Sequence, residues 1–135
     1  MTERVKPHCS VVPDSQRYGA IASRSLRFCE RDLVIDVQGS GFAFARLIFR
    51  NLVGFRVLDE LDLCEFWPEY SDPNGWLWEV HSGGWMDLEK QRPFFISPSV
   101  AAPLREFFLV DEYCLSILCQ NSPEIIDLGA DPRHA

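Results

Sequence analysis

Basic residues are missing from the middle of this chain, with no lysine or arginine between Val57 and Glu89. Lysine is scarce throughout, since arginine supplies eleven of the thirteen basic residues. No apolar run approaches the roughly 20 residues that a membrane-spanning helix needs. The start, MTERVKPHCS, has charges but no apolar stretch of the kind a secretory signal carries. Repeats and low-complexity segments are absent. These absences argue against a membrane protein, and against general nucleic-acid binding, which needs a basic surface.

Cysteine is present in an odd number, as Cys9, Cys29, Cys64, Cys114 and Cys119. Only Cys114 and Cys119 are close enough to suggest half of a zinc site, and no second pair completes it. In a strand, residues five apart point to opposite faces, so these two are badly placed to share a metal or a disulfide. The expectation is free, mostly buried thiols in a reducing cytoplasm, with no cofactor and no metal. Gly39-Ser40-Gly41 and Gly83-Gly84 are too short for phosphate loops and read as turns. Asp59, Glu60 and Asp62 do not have the spacing of an EF-hand loop.

What fills the basic-free stretch is acid and tryptophan. Asp59, Glu60, Asp62, Glu65, Glu69, Asp72, Glu79, Asp87 and Glu89 lie there, with all four tryptophans, Trp67, Trp76, Trp78 and Trp85. The net charge of −7 is divided unevenly: residues 1–56 carry nine basic and five acidic groups, residues 57–135 four and fifteen. Carboxylates without internal counter-charge suit a cationic partner. Tryptophan is costly to leave in water unless it packs or binds.

At 135 residues, 47% of them hydrophobic, the chain suits one domain with a real core. Residues 1–16 and 129–135 are expected as loose termini. Period-2 apolar patterns mark strands around Leu26 and Phe28, Leu33 to Val37, Phe42 to Asn51, and Val53 to Val57. In the third of these, Arg46 and Arg50 fall opposite the apolar face. A short acidic helix is expected around residues 59–67, stopped before Pro68, and a turn at residues 71–75. Trp76, Trp78 and Val80 share one face of the next strand, with Leu77, Glu79 and His81 on the other. Residues 85–103 read as loop with one helical turn at 85–91. Two strands, Glu106–Val110 and Tyr113–Gln120, join tightly at Asp111-Glu112, and a last edge strand covers 124–128.

The expected fold is mainly β (α+β): antiparallel sheet, sandwich-like or strongly curved, with seven or eight strands and one or two short helices. Its core includes Leu26, Phe28, Leu33, Ile35, Leu47, Phe49, Phe55, Trp78, Phe107, Leu109, Leu115 and Ile117.

Each candidate site has a plain structural reading beside the functional one. Trp76 and Trp78 suit a core strand as well as a ligand platform, whereas Trp67, before a proline, and Trp85, after two glycines, suit exposed or groove-lining places. Asp59, Glu60, Asp62 and Glu65 form either a solvated helix face or an acidic docking face. Asp87 and Glu89 are the pair to consider for general acid-base work. His81, beside Glu79, is a surface histidine or a base. His8 and His134 lie near the termini. No nucleophile motif requires an enzyme.

The stretches LIFRNLVGFRVLDELDL at 47–63, GWLWEV at 75–80 and REFFLVDEYCLSILCQNSPEI at 105–125 resemble small bacterial proteins of unknown function, including immunity proteins of toxin systems. The resemblance implies a compact cytoplasmic protein that neutralises a partner by covering its surface. It carries over no functional residue. The expected binding set is Trp67, Trp76, Trp85, Asp59, Glu60, Asp62, Glu65, Glu79, His81, Asp87 and Glu89, facing a basic protein such as a toxin. The alternatives are a small-molecule or carbohydrate binder with a tryptophan-lined groove, and a homodimer paired through an edge strand.

Overall fold

A computed structural model describes residues 6–40, 43–71 and 74–130. Asp72, the Gly41-Phe42 step and His134 lie outside the described residues. Among the described residues nine strands form two antiparallel sheets that are not closed into a barrel. Sheet A has the order β1 (His8–Val11), β6 (Leu77–Ser82), β7 (Arg105–Leu109), β8 (Tyr113–Cys119), β5 (Gly54–Asp59). Sheet B has the order β2 (Ile21–Cys29), β3 (Asp32–Gly39), β4 (Ala43–Phe49), β9 (Glu124–Ala130).

Alternation explains how the sheets meet. Leu33, Ile35 and Val37 of β3 and Ala45, Leu47 and Phe49 of β4 turn one way and are completely buried. They meet Leu77, Phe107, Leu109, Leu115, Ile117 and Cys119 from sheet A in one core. On the outer side of sheet B, Arg46 donates two hydrogen bonds to its cross-strand neighbour Asp36, at 2.8 and 3.1 Å. Arg50 joins Asp32 and Glu124 on the same side.

Sheet A is covered on its other face as well. Trp78, Val80, Phe108 and Cys114 pack there against Leu63 and Phe66. Phe66 ends the second of two 3-10 turns, Glu60–Asp62 and Cys64–Phe66, and Leu63 joins them; these turns stand where one short helix was expected. Their three-residue period puts Leu63 and Phe66 on one side, and Phe66 stacks on Phe108 at 4.1 Å between ring centres. This double cover explains why β8 is buried from Cys114 to Cys119 without alternation.

Four expectations are corrected. Leu26 and Phe28 are 38% and 61% exposed rather than core. By register they lie beside Ile35 and Leu33, but β2 is an edge strand and sheet A does not cover these positions. Trp76 does not share a face with Trp78: it precedes β6, its Nε1 donates to the Ser15 carbonyl at 2.7 Å, and it joins the core between the sheets. Residues 8–18 are ordered into β1, which pairs with β6, and a 3-10 turn, Pro13–Tyr18. The 85–103 stretch holds the expected helix at its start, α1 (Trp85–Glu89), and a second, α2 (Ser97–Val100), where loop was expected.

Truncating Phe107 to alanine should cost about 3–5 kcal/mol, as deletion of a fully buried ring does. Phe28→Ala should stay within about 1 kcal/mol, its position being largely open to solvent. Urea unfolding of the two variants checks the contrast, and equal losses would contradict the sheet arrangement.

Candidate binding surface

The outer face of sheet A carries one charged residue that is almost wholly buried. Glu106, 2% exposed, accepts the backbone N–H of Trp85 at 2.9 Å and of Met86 at 2.8 Å. Its two oxygens thereby fasten the start of α1 to β7. Burial pushes its carboxyl above the ordinary glutamate range, against those two hydrogen bonds and the pull of Arg56. Gly84 permits the approach: a Cβ there would sit 2.5 Å from Glu106 Oε2 and 2.7 Å from Val80 Cγ1. Gly83 adopts φ +76°, suited to glycine, and its N–H donates to Asp87 Oδ2 at 2.7 Å.

Beside this anchor lies Arg56, projecting from β5. Its guanidinium sits 5.4 Å from the centre of the Trp85 ring, and its Nε donates to Ser116 Oγ at 3.3 Å. Burial lowers its proton affinity, while Glu106, Glu65 and Glu89 act in the opposite sense. Trp85 Nε1 donates to Glu89 Oε1, and Arg92 Nε donates to Glu89 Oε2.

Between the Cys64–Phe66 turn and α1 a cleft of about 610 Å³ opens, lined by Arg56, Cys64, Glu65, Phe66, Asp87 and Leu88 among others. A second hollow of about 270 Å³ lies beyond Trp85, against Glu89, Phe94 and Ile96. The connection that forms this second wall is strongly exposed: Phe94 is 83%, Ile96 65% and Val100 75% accessible.

The fold thus brings together Glu65, Asp87, Glu89 and Trp85. Asp59, Glu60, Asp62 and Trp67 adjoin them along the 3-10 turns. Asp59 accepts the Leu61 N–H, Trp67 Nε1 donates to the Glu60 carbonyl, and Glu60 N–H reaches the Glu112 carbonyl. Three residues of the expected set are elsewhere. Trp76 is core. Glu79 and His81 are on the opposite side of β6 from Trp78 and Val80, as strand alternation requires. There Glu79 takes two hydrogen bonds from Arg105, at 2.8 and 2.6 Å, and His81 pairs with Ser10 Oγ. Asp87 and Glu89 each hold structural hydrogen bonds.

Sequence reasoning missed Arg56, Glu106 and the exposed apolar connection. A lone glutamate opening the apolar run EFFLV, and three aromatic or aliphatic residues among prolines at 93–98, were the available signals.

All five cysteines are free thiols, but they are not mostly buried as expected: Cys114 and Cys119 are buried, Cys9 is half-buried, and Cys29 and Cys64 are exposed. Burial pushes Cys9 up to about 12 and Cys119 up to about 11, and raises Cys114. Among the described residues no group of three or more His, Cys, Asp or Glu is placed to hold a metal ion. None of their helices is long and apolar enough to cross a membrane. The chain matches no family model, no curated protein and no solved structure.

Glu106→Gln should destabilise the fold by about 1–3 kcal/mol, because an amide turns an N–H towards a backbone N–H. The pH dependence has a definite sign. With its folded pKa raised, wild-type Glu106 binds more protons folded than unfolded, so its contribution falls as pH rises from the ordinary glutamate value through the raised one. Asp36 and Glu79 act the other way. Hydrogen bonds from Arg46 and Arg105 hold both carboxyls below their usual range, so their contributions persist above it and vanish in acid. Thermal melts of wild type and Glu106→Gln across pH should show the first slope only in the wild type.

Proposed function

We propose that this is a protein-binding domain that engages a basic partner through the outer layer of sheet A. One observation carries the reading: Phe94, Ile96 and Val100 stand in solvent on a connection whose base holds the carboxylates of Asp87 and Glu89, across a cleft from Glu65. An apolar centre with a charged surround is the usual composition of an interface, and isolated domains seldom expose such residues in a group. The carboxylates would speed association, and the apolar side chains would hold the complex once formed. An immunity protein shielding a basic toxin fits this chemistry, since carboxylates can occupy sites built for phosphate. The free thiols suit a cytoplasmic setting.

A second reading, a small-molecule binder, is favoured by the volume of the cleft, which is within the range of ligand sites.

Capture from the host's lysate at low and moderate salt, with wild type beside two variants, tests the first reading. Wild type should retain a basic protein less well as salt rises. With that protein purified, Phe94→Ala should leave the on-rate unchanged and raise the off-rate about tenfold or more, as loss of an apolar anchor does. Glu65→Gln should lower the on-rate and its salt dependence. A captured protein indifferent to both changes would remove this face from the interface.

A further inference from the structure

The Arg56 guanidinium is an unusual floor for a cleft walled by acids. Among the described residues no carboxylate is within ion-pair distance of it, and Ser116 takes only its Nε. Glu106, the nearest candidate by charge, already has both oxygens occupied by the Trp85 and Met86 N–H groups. The two Nη groups therefore have no hydrogen-bonding partner among the described residues; the guanidinium lies beside the Trp85 ring, half-buried, with its Nη groups open to the cleft.

The walls narrow what could match it. Glu65 and Asp87 also line the cleft, so a phosphate or other multiply charged anion would meet repulsion. A simple amine would leave Arg56 unpaired and would meet its positive charge. A molecule with one carboxylate and one ammonium satisfies both signs, because a planar guanidinium fork suits a carboxylate. Phe66 and Leu88 offer apolar contact for the remainder.

We infer that this cleft binds an apolar α-amino acid, its carboxylate on Arg56 and its ammonium against Glu65 and Asp87. The inference rests on the small-molecule reading and names its ligand class. It does not depend on the partner interface at Phe94.

Calorimetric titration of the whole chain with phenylalanine and leucine, beside phenethylamine and 3-phenylpropionate, tests it. The amino acids should bind, with each partial analogue at least tenfold weaker. Arg56→Gln should weaken phenylalanine at least tenfold while phenethylamine changes less. Glu65→Gln, on an exposed turn, gives the answer from the ammonium side should Arg56→Gln fail to fold: it should weaken phenylalanine and leave 3-phenylpropionate no weaker. An amine or an acid binding as tightly as the amino acid would overturn the zwitterion while keeping the cleft as a ligand site. No saturation by any of the four would overturn both.

Discussion

Phe107 and Phe108 are neighbours in β7, and each is buried, on opposite sides of one sheet. That double burial is the constraint on which the rest of the structure depends. A sheet apolar on both faces needs two covers. Sheet B supplies one with the alternating residues of β3 and β4. The other must come from irregular chain, since no third sheet exists among the described residues. The segment from Glu60 to Tyr70 and the helix α1 do that work, using Leu63, Phe66 and the Glu106 anchor.

The cover is where the acids are. Leu63 and Phe66 turn inwards, so the residues between and around them, Glu60, Asp62 and Glu65, must face water. The same geometry leaves a gap between the 3-10 turns and α1, because a few inward side chains cannot tile a whole sheet face. Arg56 lies in that gap. Among the described residues no carboxylate is in contact with its charge, though Glu106, Glu65 and Glu89 act on it from further away. A recognition surface and a cleft thus arise from one packing requirement.

The strands were largely legible. Leu33 to Val37, Leu47 and Phe49, and Leu115 to Ile117 declare their faces by alternation, and the structure places them inwards. The expected β-rich architecture with short helices is what the chain adopts. Alternation failed where its premise fails. Leu26 and Phe28 alternate correctly but sit in an edge strand, outside the core between the sheets. Trp76 follows the pattern of Trp78 in sequence, yet precedes the strand, so its face is set by the bond to Ser15. Glu79 and His81 belonged to the acidic run in sequence and left it in space, because a strand sends alternate residues to opposite sides.

By itself the sequence determined the class of fold, the apolar faces of the inner strands, and the gathering of acid and tryptophan into one stretch. Those follow from local periodicity and composition, which short-range geometry converts directly into structure. Only the tertiary structure decided which tryptophans are buried, that Glu106 spends both oxygens on α1, and that Arg56 shares a cleft with Glu65 and Asp87. Each of these joins residues far apart in sequence. Their meeting depends on strand order and on which cover lies over which face, and no local pattern encodes either.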